Sequence, residues 1–198
     1  MELLLATRNP HKTREFHELL SSDLNLLDLS ASPGISLPEE TGRTFEENAI
    51  RKAVAVSKHR DLHDRHLLVL ADDSGLEVDA LDGAPGVFSA RYAGENATDR
   101  ENIGKLLREL SQTRNRAARF RCVLALARNG EVLKTFEGGV DGMIVDLPRG
   151  SRGFGYDPVF VPAGFDQTFA ELAPEVKNRI SHRARAARQL RVALQTIA

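Results

Sequence analysis

From Leu70 to Gly94 the chain reads LADDSGLEVDALDGAPGVFSARYAG, so two adjacent carboxylates, Asp72 and Asp73, follow directly on an apolar run over 67–71. A carboxylate just beyond a sheet strand can coordinate a hard cation such as Mg2+ or take a proton from water. Ser74 and Gly75 behind the pair let the backbone turn close to a ligand. The same four residues also suit an Asx turn that merely ends the strand. Successive strand residues point to opposite faces, so the two aspartates cannot both face one site unless the strand has already turned, and one of them is then primary. Glu77, Asp79 and Asp82 read as a solvated hairpin.

Cationic partners for phosphate stand elsewhere. Lys12, Phe16 and Leu19 recur at helical spacing, which puts the lysine along the apolar stripe of a helix over about 11–20. Beside a helix N-terminus it makes an anion site, and otherwise it snorkels to solvent. The sequence has no glycine-lysine Walker loop, which disfavours an ordinary P-loop NTPase. On a second helix, Phe45, Ala49, Ala53 and Val56 mark an apolar face, with Asn48 and Lys52 on its border. That border meets a second phosphate or is a solvated edge.

In Gly153-Phe154-Gly155-Tyr156-Asp157-Pro158 the glycines permit close backbone approach, Phe154 offers a face for a base and Asp157 an acceptor for ring N–H groups. The alternative is a tight turn with Phe154 in the core. On the last helix Ala186, Leu190, Leu194 and Ile197 form the apolar stripe, and Arg183 lies on its side while Arg185 and Arg188 point away. With Ser181 as N-cap, His182 and Arg183 in the first turn can present donors to a carbonyl or an anion; a solvated basic face is the alternative.

The elements that must position these groups are legible in outline. Residues 3–6 and 24–29 read as short strands. The loop Thr7-Arg8-Asn9-Pro10 opens the first helix, and Thr44 with Glu47 makes a capping box for a helix ending near Lys58. The strand at 67–71 leads into a turn-rich stretch, then a helix over 99–110 and two long strands, 118–127 and 132–145, joined by the hairpin signal Asn129-Gly130. Residues 165–178 read as irregular or short-helical, and a helix closes the chain from 181 to 197. Helices alternating with strands early and a hairpin late predict an α/β fold with a long mixed central sheet flanked by helices, and two lobes sharing it would leave an active-site cleft.

At 198 residues the chain is long enough for a core that needs no staple, and it is expected to form a single domain over 1–198. A net charge of −1 excludes a protein-wide nucleic-acid field, and 41% hydrophobic residues exclude a disordered chain. The only cysteine, Cys122, excludes an internal disulfide and, in its apolar run, fits a buried thiol in a reducing compartment. The first residues carry no basic leader and no stretch approaches the roughly 20 apolar residues of a membrane span, so the expected address is the cytoplasm, with no membrane partner.

Taken together, ATRNPHK at 6–12, EETGRTFEENAIRKA at 39–53, ADDSGLEVDALDGAPGVFSARYAG at 71–94, GFGYDPVF at 153–160 and KNRISHRARA at 177–186 resemble the inosine/xanthosine triphosphate pyrophosphatase family over nearly the whole chain. The resemblance implies Mg2+-dependent hydrolysis of non-standard purine nucleoside triphosphates, ITP, dITP and XTP, to monophosphate and pyrophosphate by an elongated, usually homodimeric protein. It implies Asp73 as proton acceptor and metal ligand, Glu39 as its metal partner and Asp72 as an auxiliary ligand. Thr7, Asn9, Lys12 and Lys52 would hold phosphates, with Arg8 counted among the substrate-binding residues. Ser74, Phe154, Asp157, Lys177, His182 and Arg183 would shape the nucleoside pocket, together with Gly155 and Tyr156. Donors from His182 and Arg183 would suit a 6-keto group and leave an adenine amino group unsatisfied.

Arg8 and Arg152 depart from the small residues common at their positions and add positive charge near the implied phosphates or pocket rim. Two other readings stand beside this one: a related pyrophosphatase for another modified nucleotide, and a non-catalytic nucleotide- or RNA-binding module using the basic stretch 177–191. That stretch lacks interleaved aromatics, and no nucleic-acid partner is expected.

Overall fold

The structure is a computed structural model that describes residues 1–20, 24–59 and 67–197, without the side chains of Ala31 and Ile197. The Ile197 end of the expected apolar stripe therefore lies outside the described residues. The chain begins with strand β1 (Glu2–Leu5), helix α1 (Pro10–Leu20), strand β2 (Asn25–Asp28) and helix α2 (Phe45–Ser57). Strand β3 (Leu68–Val78), helix α3 (Asp99–Glu109) and the long strands β4 (Ala117–Arg128) and β5 (Glu131–Ile144) follow. A short strand β6 (Phe160–Pro162) and helices α4 (Pro174–Ile180) and α5 (His182–Ile197) complete the described chain. The six strands form one sheet in the order β2-β1-β3-β4-β5-β6. It is mixed: β1 runs parallel to β2 and β3, with Leu3 opposite Leu68, whereas β5 and β6 are antiparallel.

Local chemistry explains most boundaries. Pro10 occupies the first position of α1, where its missing N–H costs nothing, and the Asn9 side chain accepts from the N–H groups of His11 and Lys12 at 2.9 and 3.2 Å. Asn129 and Gly130 both adopt positive φ, 54° and 84°, as a two-residue hairpin between β4 and β5 requires. The capping box expected at α2 is half made: Thr44 Oγ1 accepts from Glu47 N, but the Glu47 carboxylate takes the N–H of Arg43 instead of that of Thr44. A complete box forms at α3, between Thr98 and Glu101.

The largest departure from the sequence reading is β3. The strand does not end at Ala71; Asp72, Asp73, Ser74 and Gly75 all lie inside it. Aspartates are rare in strand interiors because a buried carboxylate needs partners, and here those partners come from distant elements.

The described chain forms two compact units. The first comprises Met1–Asp73, Cys122–Gly138 and Arg183–Ala198, and the second Ser74–Arg121 and Gly139–His182. In the first, Leu3 and Leu5 of β1 and Leu68 and Leu70 of β3 pack with Phe16 of α1 and Leu190 of α5. Full burial of each such side chain contributes roughly 1.5–3 kcal/mol. In the second, Leu76, Ile103 and Leu106 share a core with the aromatic rings of Phe120, Phe160 and Phe169. Among the described residues, no helix is long and apolar enough to cross a membrane.

Candidate active site

Strand alternation sets the first unit's chemistry. Leu68, Leu70 and Asp72 share one face of β3, the face that packs on α1 and α5, so the carboxylate of Asp72 meets cations from those helices. Lys12 of α1 forms an ion pair with Asp72 Oδ1, and Arg183 of α5 places Nε 3.2 Å from Oδ2. The thiol of Cys122 on β4 donates to Oδ2 at 3.1 Å. Burial opposes ionisation of Asp72, but Arg183 and Lys12 hold its carboxyl well below the usual carboxylate range. Burial and the neighbouring Asp72 push the Cys122 thiol well up. Arg183, 2% exposed, also pairs with Glu15 and lies over the Phe16 ring, 5.7 Å from its centroid.

Asp73 points the other way, toward α2. Lys52 Nζ lies 3.0 Å from Asp73 Oδ1, and Asn48 Nδ2 donates to Oδ2 at 3.1 Å. The same ammonium meets Glu40 Oε1 at 2.6 Å and the Asp72 carbonyl at 2.8 Å. Burial raises the Asp73 pKa; Lys52 and Lys12 pull it down and Glu40 pushes it up, with a net rise. Lys52 is pulled down by burial, yet Asp73 and Glu40 raise it overall. The amide of Asn48 is itself held, because its Oδ1 accepts from Gly42 N at 2.8 Å. A Cβ at Gly42 would crowd that oxygen, which accounts for the glycine.

The carboxylate beside Lys52 thus comes from Glu40, while Glu39 is exposed and its carbonyl accepts from Thr41 N. Thr7 Oγ1 accepts from Asn9 N at 3.1 Å, so both residues shape the turn into α1. The guanidinium of Arg8 donates to the carbonyl of Ile35 at 2.6 Å and to those of Leu29 and Pro33 at 3.4 Å, pinning the segment that leads to Glu39 and Glu40. Arg152 likewise donates to the Glu171 carbonyl at 2.9 Å. Both departures from the family pattern therefore serve backbone carbonyls.

The second unit gathers another set. Asp157 Oδ2 accepts from Lys177 Nζ at 2.5 Å and from Phe154 N at 3.0 Å. The Lys177 ammonium lies 5.4 Å from the Phe154 ring centroid and 5.6 Å from that of Phe169. Phe154 is half-buried and outside the core, while its neighbour Tyr156 is a core residue whose hydroxyl donates to the Ser89 carbonyl at 2.9 Å. Gly153 has φ +73°, and a Cβ there would collide with the Asp157 carboxylate. Gly155, φ +60°, donates its N–H to Asp99 Oδ2 at 2.6 Å. His182, the first residue of α5, stacks on Phe120 with ring centroids 4.8 Å apart and planes 9° apart. Ser74 is half-buried in β3.

Sequence reasoning missed Glu40, Glu15, Cys122 and Asp99 as members of these sets. Glu15 had a signal, since it follows Lys12 by three residues and shares its helix face. Asp99 had none. Among the described residues no three His, Cys, Asp or Glu side chains converge as a ready metal cage. Glu40, Asp73 and the Asp72 carbonyl nevertheless supply the hard oxygen donors that suit Mg2+, which is commonly held by one or two carboxylates plus substrate phosphates.

The Ham1 family model matches residues 3–193. The chain is 51% identical to a dITP/XTP pyrophosphatase of Bacillus licheniformis over 96% of its own length and 95% of the relative's, and 50% identical to that of Bacillus subtilis over 96% and 94%. Among solved structures, a HAM1 protein from Coxiella burnetii is 44% identical and superimposes with a TM-score of 0.87 over 99% of both chains. A nucleoside-triphosphatase / dITP/XTP pyrophosphatase from Mycobacterium abscessus, also 44% identical, gives 0.75 over 96% of this chain and 98% of that one. With the family model spanning nearly the whole sequence and relatives at half identity, this chain belongs to the Ham1 family.

Proposed function

We propose that the chain hydrolyses dITP, ITP and XTP to the nucleoside monophosphate and pyrophosphate, with Mg2+ as cofactor, as a cytoplasmic homodimer. The observation that carries the chemistry is the contrast between two neighbouring carboxylates: Asp72 is held by Lys12, Arg183 and the Cys122 thiol, whereas buried Asp73 meets Asn48 and a lysine, Lys52, that it shares with Glu40. The names of the relatives support the substrate class.

In this reading water adds across the α–β anhydride, and the proton it loses goes to a carboxylate oxygen of Asp73. A raised pKa suits a general base because it brings the group nearer the working pH. A bound Mg2+ would neutralise phosphate charge and ease deprotonation of the water. Glu40 and Asp73 are the side chains that would hold it, with Glu39 one residue away as the alternative. Lys12 and Lys52 answer the charge of the departing pyrophosphate, and the N-terminus of α1 adds a favourable field. Asn48 fixes the rotamer of Asp73 so that its free lone pairs stay aimed.

For the base, Phe154 offers a stacking face, Asp157 an acceptor for ring N–H groups, and Lys177 and His182 donors for a 6-keto oxygen. Arg183 serves this reading first as the anchor of Asp72. Incubation with ITP, dITP, XTP, ATP, GTP, dUTP and dTTP, with and without Mg2+, followed by product identification, tests it. Monophosphate and pyrophosphate from the first three are expected; orthophosphate release or indifference to the base overturns the assignment. A preference for dUTP or dTTP would instead point to another modified nucleotide.

A further inference from the structure

Lys52 is 4% exposed, and a buried ammonium needs an acceptor for each of its three N–H bonds. It has three, Glu40 Oε1, the Asp72 carbonyl and Asp73 Oδ1, at 2.6, 2.8 and 3.0 Å. Two carboxylates and a carbonyl are also the donor set that a hard divalent cation takes. A lysine ammonium and a divalent cation cannot share those oxygens, because like charges a few ångströms apart repel strongly at low dielectric. The two carboxylates differ in what else restrains them. Asp73 keeps its bond from Asn48 whatever sits on its other oxygen, whereas the Glu40 side chain is 31% exposed and opens toward solvent.

From this geometry we propose that Lys52 is an internal counter-ion that holds Glu40 and Asp73 together until a divalent cation takes their oxygens, and that its ammonium then passes to a phosphate oxygen of the nucleotide. The idea rests on the reading of Glu40 and Asp73 as the cation's ligands. It makes cation and nucleotide binding reciprocal: the cation must evict Lys52, and the eviction is easiest when a phosphate is present to receive it. The free cation therefore binds weakly alone and tightly with nucleotide.

The test is binding of MgCl2 or MnCl2 alone, without nucleotide, to the wild type and to Lys52→Met, by titration calorimetry and by the cation-induced rise in melting temperature. Removing the competing charge should tighten cation binding by about tenfold, within the usual range of site-to-site coupling. Unchanged or weaker affinity overturns the proposal, since a residue that only contacts phosphate would leave free-cation binding alone and one that only supports the site would weaken it. If Lys52→Met does not fold, acetic anhydride labelling of the wild type decides: saturating Mg2+ should raise acetylation of Lys52 several-fold, and no rise overturns the exchange. Pyrophosphate release from XTP by the wild type is measured separately. An active wild type with unaltered cation affinity in the variant defeats the exchange and spares the function, while tightening in the variant of an inactive protein does the reverse.

Discussion

Asp72 and Asp73 are consecutive on β3, yet their carboxylates face different helices and are driven in opposite directions, Asp72 held well below its ordinary value by Arg183 and Lys12 and Asp73 raised from its own by burial. The backbone supplies the separation by simple alternation, and the cations supply the sign. Mutating each to the same residue should therefore give different phenotypes.

Asp73→Asn should cut turnover by about 10²- to 10⁴-fold, the usual worth of a general base, while nucleotide binding by calorimetry is largely retained. Near-normal turnover would remove its assigned role. Asp72→Asn should instead cost about 3–5 kcal/mol of stability in urea melts, because it leaves the buried Arg183 and the half-buried Lys12 beside a neutral group.

The pH dependence should differ in sign. Asp72 has a folded pKa below its unfolded one, about 3.9, so its stabilisation is present above that value and fades as pH falls through the folded pKa. The deficit of Asp72→Asn should accordingly shrink in acid. Asp73 is raised, so its ionisation costs stability once pH exceeds the folded pKa and costs nothing below about 3.9. Relative to the wild type, Asp73→Asn should therefore gain stability as pH rises from acid to neutral in EDTA, a slope opposite to that of Asp72→Asn, superimposed on the cost of leaving buried Lys52 one carboxylate short. Parallel urea melts across pH check both slopes.

In the second unit, Gly153→Ala must strain a backbone at φ +73° and displace the Asp157 carboxylate from Lys177 and Phe154 N. A loss of about 1–3 kcal/mol is expected, with KM for XTP rising more than kcat falls. Equal losses in kcat and kcat/KM would contradict a binding role for this loop.

Arg8→Ala should release the carbonyls of Leu29, Pro33 and Ile35. About 1–2 kcal/mol of local stability is at stake. Hydrogen exchange should accelerate in the segment 29–37, and KM for ITP should change little. A large rise in KM without faster exchange would return Arg8 to the phosphates.

Much of this was legible because the signals were local. The positive-φ pair Asn129-Gly130 announced its hairpin, and the seven-residue step from Arg183 to Leu190 put the arginine on the buried side of α5, where it lies. The continuation of β3 through two aspartates was not legible, since what makes it tolerable is charge from Lys12, Lys52 and Arg183, up to 111 residues away. Nor does any periodicity tell Glu39 from Glu40 in a loop. Only the folded chain shows which of the two pairs with Lys52, and it is Glu40. The departures at Arg8 and Arg152 looked electrostatic because a sequence displays an arginine's charge but not the carbonyls within its reach.

Cys122 gives the protein a stopwatch. Its sulfur lies against Asp72 in the first core, fully buried, with its thiol pushed far from the reactive thiolate. An alkylating reagent can reach it only when the core around it opens. The rate of that single modification thus times how often the core around Asp72 comes undone, with no label attached and no residue changed.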